Sequence, residues 1–197
     1  MESLFDGYAA QFDTHLVHAL RYDAPRILAG RLAGLGRRFT RALDLGCGTG
    51  LCGPLLRPFT DAVDGVDLSA RMLEQARRTG AYDALLQADV AAHLARATQR
   101  YDLVVAADVF IYVGALDAVF EGVARCMPAG VFCFTVEAAG EDEGMVLRPS
   151  LRYAHSRGYL RVLAQRHGLR ELAVEERPIR EDQQAPIPGL FVWLERP

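Results

Sequence analysis

The 197 residues carry 22 basic and 25 acidic side chains, a formal net charge of -3 and 51% hydrophobic residues, which suits one folded domain with a full-sized core and leaves no room for a second catalytic one. No block of like charges suggests a nucleic-acid surface, and the absence of lysine excludes lysine Schiff-base chemistry. Cys47, Cys52, Cys126 and Cys133 form no C-x-x-C pair and lie in or beside apolar runs, the pattern of reduced thiols. No apolar signal core follows Met1-Glu2-Ser3, and Asp108 and Asp117 interrupt the longest apolar stretch. The expectation is therefore a cytoplasmic chain with neither export nor a membrane span.

Residues 5–33 read as helix, with Phe5, Tyr8, Ala9, Phe12, Leu16, Ala19 and Leu20 at helical spacing and Pro25 opening a second helix through about Leu35, closed by Gly34 and Gly36. From Arg41 onward, apolar runs ended by Gly or Asp alternate with helical stretches, the signal of parallel strands joined by crossover helices. The pattern predicts strands near 41–45, 62–67, 84–88, 101–107 and 130–136, and helices near 51–58, 69–79, 90–98, 115–127 and 155–167. Extended segments follow near 170–177 and 188–195. The acidic, glycine-containing stretch 138–150 reads as a loop or lid, and Glu181 to Pro188, with Pro186 and Pro188, as a second loop. The chain thus reads as a single domain, 1–197, with a helical cap (1–36), a cofactor-binding core (37–137) and a lid with the last strands (138–197). In such an open α/β sheet, ligands lie beyond the carboxyl ends of the strands at the switch point.

Gly46, Gly48 and Gly50 end the first strand and open a helix, letting the backbone approach a nucleotide closely. Asp44, two residues before the first glycine, would repel the pyrophosphate of a dinucleotide, which speaks against a nicotinamide-dependent oxidoreductase. It favours instead a ligand bearing an ammonium and a sulfonium, as S-adenosylmethionine does. Asp67 ends the second strand, where its two oxygens can take both ribose hydroxyls, or where it simply serves the following helix N-terminus. Asp89 ends the third strand: it can accept an adenine amino group while Val90 packs on the ring, or it can cap the next helix. Ala106 and Ala107 leave space for the methionine tail. Cys47 reads as a small filler within the loop.

In order, LDLGCGTG, GVDLSARML, QADV and YDLVVAADVFIYVG resemble the class I methyltransferases. With Tyr8-Ala9-Ala10-Gln11-Phe12-Asp13-Thr14-His15-Leu16 at the front and Arg152-Tyr153-Ala154-His155-Ser156 near the end, the chain is similar to the catalytic module of bacterial methyltransferases associated with tetratricopeptide repeats. The resemblance implies a Rossmann-like seven-stranded sheet of order 3-2-1-4-5-7-6, last strand antiparallel, with helices on both faces. It also implies S-adenosylmethionine as cofactor, with Leu68 and Met72 of the GVDLSARML run joining the cofactor set of Asp44, Gly46, Cys47, Gly48, Gly50, Asp67, Asp89, Val90 and Ala107.

Methyl displacement from a sulfonium needs alignment and exclusion of water more than a strong base. Where the acceptor must lose a proton, the candidates to take it are His155, Tyr153, Asp108 and Tyr112. Tyr8, Phe12, His15 and Tyr159 are candidates for the substrate side or a lid, and a ring of Arg148, Arg152 and Arg157 would suit a carboxylate-bearing acceptor. No metal-ligand spacing is present. The expected function is methyl transfer from S-adenosylmethionine to a small-molecule acceptor, without nucleic acid or membrane as partner. The alternatives are an accessory or binding protein of the same fold without turnover and, behind it, the NAD(P)-dependent oxidoreductase.

Overall fold

The computed structural model describes residues 22–182 and 185–197. The predicted front helix with Tyr8, Phe12 and His15 lies outside the described residues. The first described helix, α1 (Ala24–Gly34), has Pro25 in its first turn, where a missing N–H costs no intrahelical bond, and buries Ala24, Leu28, Ala29 and Leu32 along one face. Then come β1 (Phe39–Leu45), α2 (Gly53–Leu56), β2 (Thr60–Asp67), α3 (Ala70–Arg78), β3 (Ala84–Gln87), α4 (Val90–Arg96), β4 (Leu103–Ala106), a 3-10 turn (Phe110–Tyr112), α5 (Asp117–Cys126) and β5 (Gly130–Ala138). The chain continues through β6 (Met145–Leu147), β7 (Tyr153–His155), α6 (Arg157–Arg166), β8 (Arg170–Asp182) and β9 (Ala185–Arg196).

Strands β3, β2, β1, β4 and β5 run parallel in that spatial order. β9 lies antiparallel against β5 along Gly130–Glu137, and β8 antiparallel against β9. Counting these seven long strands alone gives the expected order, with the last strand reversed. Among the described residues the sheet nevertheless has nine strands, because part of the segment read as a loop pairs as a hairpin of β6 with β7. β7 joins β5 in parallel at Glu137↔Ala154 and Ala138↔His155. Since β9 holds the other edge of β5, β7 occupies the edge that β4 vacates after Ala106↔Phe134.

The second predicted loop, 181–188, is also corrected: β8 runs to Asp182, and β9 begins at Ala185 and includes Pro186 and Pro188. β9 pairs with β5 only as far as Gly189, so its prolines lie in a two-stranded stretch with one free edge, where a missing N–H is tolerated.

Side chains of the central strands alternate between two cores. Phe132, Phe134 and Val136 of β5 face α5 and α6, whereas Val131 and Cys133 face α1 with Trp193. Phe110, Phe120, Phe132 and Phe134 meet edge-to-face or tilted in the first core, so truncating one to Ala would cost about 3–5 kcal/mol. By the same alternation Asp44 shares the α1 face with Ala42, while Leu43 and Leu45 face the other.

Candidate functional site

β1 is flanked by β2 and β4, and at this switch point the chain leaves the sheet through Gly46–Gly50. Gly46 has φ 63°, and a Cβ there would meet Val109 Cγ2 at 2.5 Å. Gly50, at φ 93°, lies so close to α3 that a Cβ would sit 2.9 Å from Ala76 Cα. The loop is tied down by Cys47 N donating to Val66 O at 3.0 Å and Gly50 N to Cys47 O at 2.9 Å. Asp67 clasps it from β2, accepting from Gly48 N at 2.9 Å and Ser69 N at 2.8 Å. At Gly48 no described atom lies within 4 Å of an added Cβ, so this glycine opens outward.

Asp44 is only 1% exposed. Tyr82 Oη donates to its Oδ2 at 2.7 Å, and the Cys52 thiol also contacts it. Burial, opposed by the Tyr82 bond and assisted by the charge of Asp67, pushes the Asp44 carboxyl up to about 7. The acid at the root of the loop is therefore an interior group braced by a tyrosine rather than a carboxylate standing in the open. Asp67 is also shifted upward by burial, against its bonds from Ser69 and Gly48. The buried Tyr22 hydroxyl is driven up by burial and by the charges of Asp108, Cys52 and Asp44.

Leu68 borders the loop at 36% exposure, whereas Met72 is fully buried and Cys47 is enclosed with its thiol shifted upward by burial. Asp89 caps α4 through Oδ1, which accepts from Ala92 N at 2.9 Å. Val90 and Ala107 are half-buried against opposite cores.

Beyond β4, Asp108 takes a left-handed backbone, φ 57°. Its N donates to Thr135 Oγ1 at 2.8 Å, and both its oxygens accept from Arg180 Nη1 at 2.8 Å. Arg180 Nη2 also donates to Glu137. Tyr112 is half-buried and hydrogen-bonded to Arg152, its hydroxyl raised by burial and by Asp108. His155 stands in β7, not at a helix start as its sequence context suggested; Ser156 caps α6 instead. Its ring is fully buried, with Nε2 2.7 Å from Gly114 O, so Nε2 carries the proton, and among the described residues Nδ1 has no partner. Burial holds its pKa below the usual histidine range.

The His155 ring stacks on Tyr159 at 5.8 Å. Tyr159 Oη accepts from Leu116 N at 2.8 Å and donates to Asp117 at 3.3 Å, and Tyr153 packs on Gly114. These three side chains brace the segment after β4. The three arginines form no open ring: Arg148 pairs with Glu143, Arg157 with Glu171 and Arg152 with Tyr112.

Sequence reasoning missed Tyr22, Tyr82, Thr135, Glu137 and Arg180. Glu137 alone gave a local signal, a carboxylate inside the apolar run of β5. The site fits S-adenosylmethionine: a glycine opening outward, a clasping carboxylate with lone pairs left for a diol, and buried negative charge for a cationic ligand. Among the described residues no His, Cys, Asp and Glu cluster suits a metal ion.

Residues 42–130 match a methyltransferase domain family. Malonyl-[acyl-carrier protein] O-methyltransferase of Enterobacter lignolyticus (strain SCF1) is 41% identical over 103 residues, which is 52% of this chain and 41% of that protein. The match thus spans about two-fifths of the curated relative's length. Magnesium protoporphyrin IX methyltransferase from Synechocystis PCC 6803 with bound SAM superposes with TM-score 0.68 at 17% identity, covering 88% of this chain and 78% of that one. An S-adenosylmethionine-dependent methyltransferase from Clostridium acetobutylicum ATCC 824 superposes with TM-score 0.70 at 17% identity over 98% of both chains. The chain therefore has the fold of the class I, S-adenosylmethionine-dependent methyltransferases, and residues 42–130 match a methyltransferase domain family within it.

Proposed function

We propose that the protein is an S-adenosylmethionine-dependent methyltransferase that acts on a small-molecule acceptor by direct displacement, and that it belongs with the catalytic modules associated with tetratricopeptide repeats. The observation that carries this reading is the clasp of Asp67 on the Gly46–Gly50 loop above the buried Asp44. When bound, S-adenosylmethionine supplies an electrophilic methyl on a sulfonium. Asp67 keeps lone pairs for the ribose hydroxyls, Gly48 leaves room for close approach, and Asp44 and Asp67 give the interior a negative potential that attracts the cation. The second oxygen of Asp89 remains for the adenine amino group, with Val90 beside the ring.

The Enterobacter relative is named as an O-methyltransferase of a malonyl group on acyl-carrier protein, and the Synechocystis neighbour as a methyltransferase of magnesium protoporphyrin IX. Both names favour a small acceptor group over nucleic acid. We read 1–197 as one domain and place it in the cytoplasm, in keeping with its four free cysteines. Among the described residues no helix is long and apolar enough to cross a membrane. Titration calorimetry with S-adenosylmethionine and S-adenosylhomocysteine tests the reading. Saturable one-site binding is expected, and no heat with either ligand would overturn it.

A further inference from the structure

Asp108 combines features that a surface carboxylate lacks. It is a non-glycine residue at φ 57°, a conformation that persists only where the surroundings impose it. Thr135, fully buried, holds its backbone N. The next residue, Val109, fills the space against Gly46, so Asp108 adjoins the glycine loop. Arg180 reaches it from β8, a strand at the far side of β9, with a side chain only 3% exposed. One guanidinium nitrogen serves both oxygens of Asp108, and the other is anchored on Glu137. Glu137 is itself fixed by pairing of its strand on both edges, with Ala154 and with Gly189. The planar fork of Arg180 thus transmits the position of the sheet to Asp108. Each Asp108 oxygen accepts one hydrogen bond from Arg180, and a carboxylate oxygen has the capacity for a second.

We propose that Arg180 is a positioning residue: braced on Glu137, it holds Asp108 as the carboxylate that takes the proton of the methyl acceptor. The proposal rests on the methyltransferase reading and narrows the acceptor to a nucleophile that carries a proton, an amine or a hydroxyl. The acceptor's lone pair forms the new bond to the methyl carbon, the carbon–sulfur electron pair leaves on sulfur, and the acceptor's proton passes to an Asp108 oxygen and then to water. Two carboxylates share one guanidinium, so the trio has one negative charge, which that proton neutralises. Among the described residues, the groups facing Asp108 are Arg180 from β8, Glu137 from β5, Arg152 between β6 and β7, Tyr112 from the 3-10 turn and Tyr22 ahead of α1. Burial raises the Asp108 carboxyl, Arg180 lowers it and Glu137 raises it.

The test joins a titration to kinetics on the full chain. The Asp108 carboxyl resonance, assigned by its loss in Asp108→Asn, is followed by carbon-13 NMR with and without S-adenosylhomocysteine. Glu137→Gln should lower its midpoint and Arg180→Met raise it, each by about one unit or more. Arg180→Lys, the variant least disruptive to folding, should fall between wild type and Arg180→Met. Methylation of a panel of primary amines, phenols, alcohols and carboxylic acids is then followed by S-adenosylhomocysteine release. Turnover of an amine or hydroxyl compound is expected, with kcat at least about 100-fold lower in Asp108→Asn at unchanged KM for S-adenosylmethionine. The acid limb of its pH profile should move with the NMR midpoint in Arg180→Lys.

A midpoint indifferent to Arg180, a limb that does not follow it, or turnover confined to carboxylic acids or absent would overturn the proposal. Failure of the methyltransferase reading is seen separately, as wild-type protein that does not bind S-adenosylhomocysteine.

Discussion

Tyr82 Oη donates to Asp44 Oδ2 at 2.7 Å and accepts from Gly53 N at 3.1 Å, joining the end of β1 to the start of α2 across the loop between them. The bond favours the charged form of Asp44, so its loss in Tyr82→Phe should push that carboxyl further up. S-Adenosylhomocysteine affinity at pH 7 should fall about 10-fold, consistent with about 1.5 kcal/mol for a hydrogen bond to a charged group. Calorimetry at pH 7 and pH 9 checks this, with part of the loss recovered at the higher pH.

Asp44 itself makes both stability and binding depend on pH. Its carboxyl lies near 7 in the fold against 3.8 as the reference value. Between those values the folded protein holds a proton that the unfolded chain has released, so this group's contribution to stability falls as pH rises from about 4 to about 7. Asp44→Asn removes the trend. In urea unfolding at a series of pH values, the wild type should lose on the order of a few kcal/mol relative to Asp44→Asn across that window. A cationic ligand draws the carboxyl back down. Binding should therefore release up to one proton below pH 7 and tighten as pH rises, measurable in buffers of different ionisation enthalpy.

Asp67→Ala leaves the amides of Gly48 and Ser69 without this acceptor and removes the group we propose for the ribose. Affinity for S-adenosylhomocysteine should drop on the order of 100-fold, because the charge-assisted hydrogen bonds proposed for both ribose hydroxyls would disappear together. Which acceptor is methylated should not change. Comparing product ratios between wild type and variant over a mixed acceptor panel tests that separation.

Gly46→Ala combines a strained backbone with a collision at Val109. A loss of about 2–4 kcal/mol is expected. Val109→Ala in the same chain should relieve the collision and leave about 1–2 kcal/mol from the left-handed backbone alone. A double-mutant cycle by thermal or urea unfolding separates the two parts.

What the sequence revealed was local. Alternation in Val131–Val136 follows from a period of two, helix faces from a period near four, and the loop from three glycines and one acid close together in the chain. The trio at Asp108 was not local: Arg180 is 72 residues from Asp108 and 43 from Glu137. No window of sequence brings them together; the antiparallel return of β9 and β8 does. β6 and β7, at three residues each, are too short to display a period. Pro186 and Pro188 concealed the start of β9, because proline marks a loop except on a free edge. At Asp89 both sequence readings remained open, and the structure supplies the cap without using up the second oxygen.

The four enclosed thiols give the molecule an internal clock. Burial raises all four, so thiolate is scarce in the native state and an aqueous disulfide reagent must wait for the fold to open. Cys47 lies in the glycine loop and Cys133 in the middle of the central strand β5, so they wait for different events. The first reports on the breathing of the loop, the second on dissolution of the sheet. A ligand that seats on the loop slows the first and reaches the second only through the stability it adds to the whole.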